Sequence, residues 1–306
     1  MSFSVKCDLC GSSDASVLFQ ARDRRFGLPG NFAVVRCGCC RLVRTEPQPE
    51  RLDAFYPRNR YYSYAPPTPP SPRARARVRE AYGLDGRDLA ARLGRGRLLP
   101  GLPPGPPGEI LDVGCGSGEM LLALREAGWS CHGVEVDPGA VSAARAAGLA
   151  DVHAGDLLEL DYPPASFDAI RFWHVLEHVR SPRAQLAAAQ SLLRPGGTLT
   201  IGVPNFGSLI ARVARERSFY LDVPRHLWHF DRRTLGRLVR EVGFDVTRLR
   251  LMTASAPILG TLAYLRGRSE PSASRAAWFA ALPLATILDA LRLGDALELY
   301  AIRRER

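Results

Sequence analysis

Residues 109–118 read Glu109-Ile110-Leu111-Asp112-Val113-Gly114-Cys115-Gly116-Ser117-Gly118, a short apolar run that ends in a carboxylate and then in three glycines at alternate positions. The pattern predicts a strand, a tight turn and the start of a helix. Ile110, Leu111 and Val113 give the run its buried-strand character. Gly114, Gly116 and Gly118 permit positive φ and leave no Cβ in the way of a ligand lying on the loop. Glu119 to Ala127 then continues as a helix closed by Gly128, whose unpaired first-turn N–H groups point at the loop.

Outward from this turn, spacing separates two ligand chemistries. A dinucleotide fingerprint spaces its glycines G-x-G-x-x-G, whereas here they fall at 114, 116 and 118 behind an acid. With Asp112 in place the stretch resembles motif I of the class I S-adenosylmethionine-dependent methyltransferases. Such a ligand carries no pyrophosphate; its ammonium and sulfonium are cationic, so an acid beside bare backbone suits it. A plain glycine-rich turn would explain the glycines alone, but further signals follow in order. Cys131 to Val136 reads as a second strand that ends near Glu135, 23 residues beyond Asp112, where an acid can accept both ribose hydroxyls. Asp151 to His153 is a third strand, followed by Gly155-Asp156. Phe167 to Phe172 is a fourth, with Trp173-His174-Val175-Leu176-Glu177-His178 at its carboxyl end. Leu193-Arg194-Pro195-Gly196-Gly197 leads into a fifth, Thr198 to Val203, and L-x-P-G-G is another hallmark of the same family.

This resemblance spans residues 109 to 203 and implies S-adenosylmethionine as cofactor. It assigns the site to Asp112, Gly114, Cys115, Gly116, Gly118, Glu135, Val136, Asp156, Leu157, Phe172 and Trp173, with Asp156 meeting the adenine amino group. Taking Phe244 to Met252 and Ala296 to Arg303 as strands six and seven, it implies an α/β fold: a Rossmann-like seven-stranded sheet with helices on both faces. Phe206 to Arg217 and Arg232 to Val242 read as helices on the way to strand six.

The first 62 residues are of another kind. They carry five of the seven cysteines, as Cys7-x-x-Cys10 and Cys37-x-x-Cys40 with Cys39 inside the second pair. Two such hooks suggest a four-thiolate structural zinc site on Cys7, Cys10, Cys37 and Cys40, since each hook sets two sulfurs roughly 3.5 to 4 Å apart. Cys39 is an alternative to either residue of its hook, and free thiols or a redox pair are the competing readings. The segment looks too small to fold on apolar burial alone. The organisation is therefore a zinc-binding ribbon over 1–62, a proline-rich and helical connector over 63–108 with its helix from Arg73 to Leu99, and the cofactor-binding domain over 109–306. That domain holds an apolar insertion at 254–293.

At 306 residues and 46% hydrophobic, the chain has room for this arrangement. The formal charge of +10 invites a nucleic-acid reading, yet Lys6 is the one lysine among 41 basic residues. So strong an arginine bias resembles the codon usage of a GC-rich genome, which weakens charge as a sign of partners. The arginine cluster at 73–79 reads first as a solvated helix face. No secretory leader opens the sequence, so the cytoplasm is expected. Ala276 to Leu288, interrupted by Pro283, is shorter than the ~20 residues of a spanning helix. A packed cap or a dimer surface is the first reading of the insertion, and peripheral membrane contact through 276–293 the second. Either a monomer or a homodimer is compatible with this.

The reaction implied is methyl transfer to a small metabolite, sugar or lipid-linked intermediate, most simply at oxygen. A hydroxyl acceptor needs a base, and His226, His229, His174 and His178 all follow strands four and five; His226 is the first choice and His229 its partner. His174-x-x-Glu177-His178 resembles the E-x-x-E-H metal site of small-RNA terminal 2′-O-methyltransferases, with His174 in place of the first Glu. A second divalent metal at His174, Glu177 and His178 therefore ranks below a positioning role. The rival function is an RNA-directed methyltransferase or a nucleic-acid-binding protein that docks through the zinc module.

Overall fold

The computed structural model describes residues 5–57, 101–269 and 274–305. The expected connector helix from Arg73 to Leu99 and the arginine cluster lie outside the described residues. Three strands open the chain: β1 (Ala15–Ala21), β2 (Phe32–Cys37) and β3 (Val43–Glu46). The second set is β4 (Glu109–Val113), β5 (Ser130–Glu135), β6 (Val152–Ala154), β7 (Phe167–Trp173), β8 (Leu193–Pro204), β9 (Trp228–His229), β10 (Phe244–Met252) and β11 (Ala296–Arg303).

All of these except β1, β2, β3 and β9 make one seven-stranded sheet, in the order β10-β11-β8-β7-β4-β5-β6. Strands β4 to β8 pair in parallel, and β11 is antiparallel to both β8 and β10. The sequence expectation of a seven-stranded α/β sheet is met, with β10 and β11 at the expected residues. Alternation along β4 shows why both faces are covered. Leu111 and Val113 join the core made with α3 (Pro182–Leu192) and α5 (Arg232–Glu241), while Ile110 joins Leu124 and Ala127 around α1 (Glu119–Glu126). β4 is also the point from which the chain winds both ways, to β5 and β6 on one side and to β7 and β8 on the other. Ligands of open parallel sheets lie outside the strand ends at such a switch point.

The helices start where short polar side chains can cap them. Asp137 accepts from Ala140 N at the head of α2 (Pro138–Ala146), Ser181 does so for α3, and Asp231 forms a capping box with Thr234 for α5. The helix expected over 206–217 is shorter, α4 (Leu209–Ala214) followed by a 3-10 turn at Arg215–Arg217. The Asn205 side chain holds Gly207 N in a turn at 2.9 Å, and Ser208 sets the cap only after it. The insertion is a hairpin of α6 (Ser255–Leu265) and α7 (Arg275–Ala290). Ile258, Ala281 and Ala285 pack it together against Ile210. The outer side of α7 is open, with Phe279 71% exposed. Among the described residues, no helix is long and apolar enough to cross a membrane.

Residues 5–57 share a sheet with the later chain. β3 pairs antiparallel with β9, so the four-stranded sheet β1-β2-β3-β9 takes its last strand from Trp228–His229. The core is also continuous, since Cys7, Leu9, Cys37 and Leu42 pack in the same cluster as Trp228, Leu235 and Leu238. Asp8, inside the first cysteine hook, accepts from Ser181 Oγ and Arg183 N at the head of α3, both at 2.7 Å. A buried ion cluster completes the junction. Arg225 is fully buried and donates to Asp23 Oδ1 at 2.7 Å, to Asp222 Oδ1 at 2.6 Å and to the Phe55 carbonyl at 3.1 Å. The guanidinium holds Asp222 well below the usual carboxylate range against the opposing effect of burial.

Arg225→Ala leaves two carboxylates buried beside an empty site, and the expected cost in urea unfolding is about 3 to 5 kcal/mol. A loss under about 1 kcal/mol would mean that water or another cation replaces the guanidinium.

Candidate active site

At the carboxyl end of β4 the chain turns through Gly114, Gly116 and Gly118, all at positive φ (69°, 55° and 85°). A Cβ on Gly114 would stand 2.4 Å from the Val175 side chain, so this turn can pass under the end of β7 only without one. Glu135 ties the turn to the next element: its carboxylate accepts from Gly116 N at 2.9 Å and from Asp137 N at 3.0 Å. Burial pushes this carboxyl up, and the backbone N–H groups of Asp137 and Gly116 pull it back. The Glu135 oxygens keep lone pairs for ligand hydroxyls. Val136, directly after it, is 65% exposed, an apolar side chain at the strand mouth that a flat ring could cover.

Asp112 departs from its expected part as a free acid facing a cationic ligand. It is buried, and Arg171 Nη1 of the neighbouring β7 donates to both its oxygens, at 2.7 and 2.8 Å. Its charge is thus balanced within the protein, beneath the turn. Arg171 Nε also donates to Gly101 O at 3.0 Å, and its guanidinium lies over the Trp173 ring. Cys115 sits in the turn, its Sγ near Gly116 O. Leu157 and Phe172 are core side chains, 2% and 0% exposed, so any part they take at the cofactor is through backbone. Asp156 accepts from Leu158 N at 2.8 Å and from Gln185 Nε2 at 2.7 Å.

The four histidines gather at the carboxyl ends of β7 and β8, in unlike settings. His174 has φ 57°, a region that non-glycine residues avoid, and its N–H donates to Gly202 O at 2.8 Å. Its Nδ1 lies 3.2 Å from Oε1 of the buried Glu177, while the side chain stays 26% exposed. His178 Nδ1 lies 2.7 Å from Tyr56 Oη and 3.0 Å from Arg225 O, and His226 Nδ1 lies 2.9 Å from Tyr220 O. A carbonyl only accepts, so Nδ1 of His226 carries the proton and its Nε2 holds a lone pair. Burial pushes His226 down to about 4, with His178 adding to the fall, and His229 down to about 3. His229 Nε2 is 3.0 Å from Thr45 Oγ1 of β3.

Glu177, His178 and His226 bring one ligand atom each within 4.8 Å of one another, and Glu177 Oε2 has no hydrogen-bond partner among the described residues. This is the set of donors that a cation at this face would meet; His174, read with Glu177 and His178 in the sequence, does not join it. Beside it a narrow cavity runs between Phe206, Tyr220, His229 and Asp295. Asp295 is buried and pushed up to about 8 by that burial, with Asp289 adding to the rise and its own and Ala254's backbone groups offsetting part. Sequence reading missed Asp295, Arg171 and Tyr56. Only Arg171 had a local signal, a charge in the middle of an apolar strand.

The two cysteine hooks meet in the N-terminal part of the chain. Cys7 Sγ lies 3.3 Å from Cys40 Sγ and Cys10 Sγ 3.5 Å from Cys37 Sγ, and all four sulfurs fall within 4.8 Å of one another. Each hook is a matching turn: Gly11 N donates to Cys7 O at 2.7 Å and Arg41 N to Cys37 O at 3.1 Å, with φ 73° and 71°. Cys39 is exposed outside the group. Burial pushes the Cys7 thiol up to about 11 and the Cys40 thiol further. Thiolates there are costly without a cation, and four convergent sulfurs are what tetrahedral zinc binds. The cluster is compatible with a structural zinc.

A family model described as a methyltransferase domain matches residues 86–249. The ubiquinone biosynthesis O-methyltransferase of Xanthomonas campestris pv. campestris (strain B100) is 34% identical over 111 residues, 33% of this chain and 44% of that protein. The protein of the same name from Thiobacillus denitrificans (strain ATCC 25259 / T1) is 30% identical over 161 residues, 47% of this chain and 68% of that one. The chain thus spans less than half the length of the Xanthomonas relative. Among solved structures, a chain of the complex between the Haloferax volcanii Trm112 methyltransferase activator and a methyltransferase aligns with TM-score 0.50 at 19% identity, covering 76% of this chain and 96% of that one. That likeness concerns the fold.

Metal analysis of purified protein is expected to return about one zinc per chain, retained in Cys39→Ser and lost in Cys37→Ser. Full zinc content in Cys37→Ser would mean a different ligand set.

Proposed function

The chain belongs to the methyltransferase-domain family, and on that premise we propose that it transfers the methyl group of S-adenosylmethionine to an oxygen of a small-molecule acceptor. The observation that carries this reading is the side-chain-free turn at Gly114, Gly116 and Gly118 with Glu135 tied across it, at the switch point of the sheet. The residues there fit the cofactor: a bare loop beside the head of α1, an acid with spare lone pairs, and exposed Val136 where the adenine ring needs an apolar face. The O-methyltransferase relatives support oxygen as the acceptor atom.

S-adenosylmethionine, when bound, supplies a methyl group already activated by its sulfonium. The protein's remaining tasks are alignment and removal of the acceptor proton. We assign the proton to His174 Nε2. Glu177 Oε1 beside Nδ1 keeps the other ring proton in place and steadies the imidazolium that forms, an arrangement of base and orienting carboxylate. As the acceptor oxygen bonds to the methyl carbon, the carbon–sulfur bond breaks and the acceptor proton passes to Nε2. His226, the first choice from the sequence, is buried and so weakly basic that positioning suits it better. With His178 and Glu177 it makes up the donors that would take a divalent cation at this face. Ring contact between His174 and Tyr220, centroids 5.8 Å apart, supports an aromatic wall for the acceptor.

Calorimetry is expected to show S-adenosylmethionine binding that Glu135→Ala weakens by at least about tenfold. His174→Ala should leave that affinity nearly unchanged and lower turnover by about 10² to 10⁴. No cofactor binding by the native chain would sink the reading; full turnover by His174→Ala would remove only the base.

A further inference from the structure

A second and larger cavity, about 500 Å³, opens between the N-terminal strands and the heads of α4 and α5. That is the size of a small-ligand cleft. Its lining is heavily cationic, with Arg36 and Arg41 from the ribbon and Arg212, Arg215 and Arg233 from the later chain. Asp231 is the single acid, and its carboxylate is committed to the cap of α5, accepting from Arg233 N at 3.0 Å and Thr234 N at 2.8 Å. Among the described residues, no carboxylate forms a close ion pair with any of the five guanidinium groups. Arg215 spends one nitrogen on Leu18 O and stands over the Phe19 ring. Partial burial and the nearby Arg41 both pull Arg36 below its ordinary value, with Asp231 only partly opposing them. Arg36 is half-buried and the other four line the cleft from its exposed rim, so their charges attract anions, and planar guanidinium groups match phosphate oxygens two at a time.

We propose that this cleft binds the phosphate groups of a small phosphorylated molecule, and, on the methyltransferase reading above, that this molecule is the methyl acceptor. Position supports the second half. Phe206, Ala211, Arg215 and His229 line both this cleft and the narrow cavity that reaches Tyr220, whose ring meets His174. An acceptor held by its phosphates among the arginines therefore extends along that shared wall toward the proposed base. The cleft lies at the junction where β3 pairs with β9; neither the ribbon nor the later chain supplies all five arginines. A diphosphate ester of a nucleoside and a diphosphate ester of a lipid present the same groups, so both sources fit the cleft.

The test is calorimetry of the full chain with inorganic pyrophosphate and with uridine diphosphate, alongside S-adenosylhomocysteine. Pyrophosphate is expected to bind the native protein and to lose at least about tenfold in affinity in Arg36→Gln and in Arg212→Gln. Unchanged S-adenosylhomocysteine affinity in both variants reports that they are folded. Tighter binding of uridine diphosphate than pyrophosphate would support a nucleotide-linked ligand. Co-flotation with vesicles containing phosphatidylglycerol, lost in Arg212→Gln, would support the lipid source. No pyrophosphate binding, equal binding by native and variant proteins, or a preference for single-stranded RNA that these variants abolish would each overturn the proposal. A protein that binds pyrophosphate but not S-adenosylhomocysteine would keep the cleft and overturn the methyltransferase reading instead.

Discussion

The fully buried guanidinium of Arg225 between Asp23 and Asp222 is the interaction on which the acceptor side depends. An arginine with no exposure is tolerable only when its charge is balanced and its donors are used, and here Asp23, Asp222 and the Phe55 carbonyl do both. Asp23 and Phe55 belong to the N-terminal part, Asp222 to the segment after β8. Arg225 also fixes its own backbone: its carbonyl meets His178 Nδ1, and the next residue, His226, lends its carbonyl to Thr45 Oγ1 at 2.7 Å. One ion cluster thereby ties down the backbone that meets two histidines, His178 and His226, near the ends of β7 and β8.

Two different physical problems are solved on the two halves of the sheet. On the cofactor half, the requirement is a turn with few side chains, met by local glycines, with Asp112 balanced beneath it by Arg171 and Glu135 tied to it through Gly116 N. Such an arrangement needs only neighbouring strands. On the acceptor half, the requirement is polar groups kept in order under cover, and the cover is a second sheet from the beginning of the chain. The four-sulfur cluster stands at the turn between β2 and β3, next to the pairing of Val43 with His229, with Asp8 anchored to the head of α3. Cys7 and Cys37 pack in one core cluster with Leu42 and Trp228, which ties the hooks to the strands that meet the histidine segment.

What was legible in the sequence follows this division. The turn after β4, the acid ending β5 and the ranges of β10 and β11 are local patterns of hydrophobic period and glycine spacing, and they read correctly. The strand β9 did not. Trp228-His229 is two residues long and reads as an aromatic loop, because what makes it a strand is pairing with Val43 and Arg44. The same holds for Asp112, whose partner is set by cross-strand register rather than by spacing. Cys39 was undecidable among three cysteines in four positions until the backbone turn placed Cys37 and Cys40 inward. His226 reads as the base from its place beside His229 in an aromatic loop, and the fold buries it.

Hydrogen–deuterium exchange measured by mass spectrometry on the full chain, native against Cys37→Ser, tests most directly whether the cysteine cluster supports the acceptor side. The account predicts that exchange at residues 226–230 quickens by at least about tenfold in the variant while residues 110–113 in β4 keep their protection. Unchanged protection at 226–230 after loss of the cluster would contradict it.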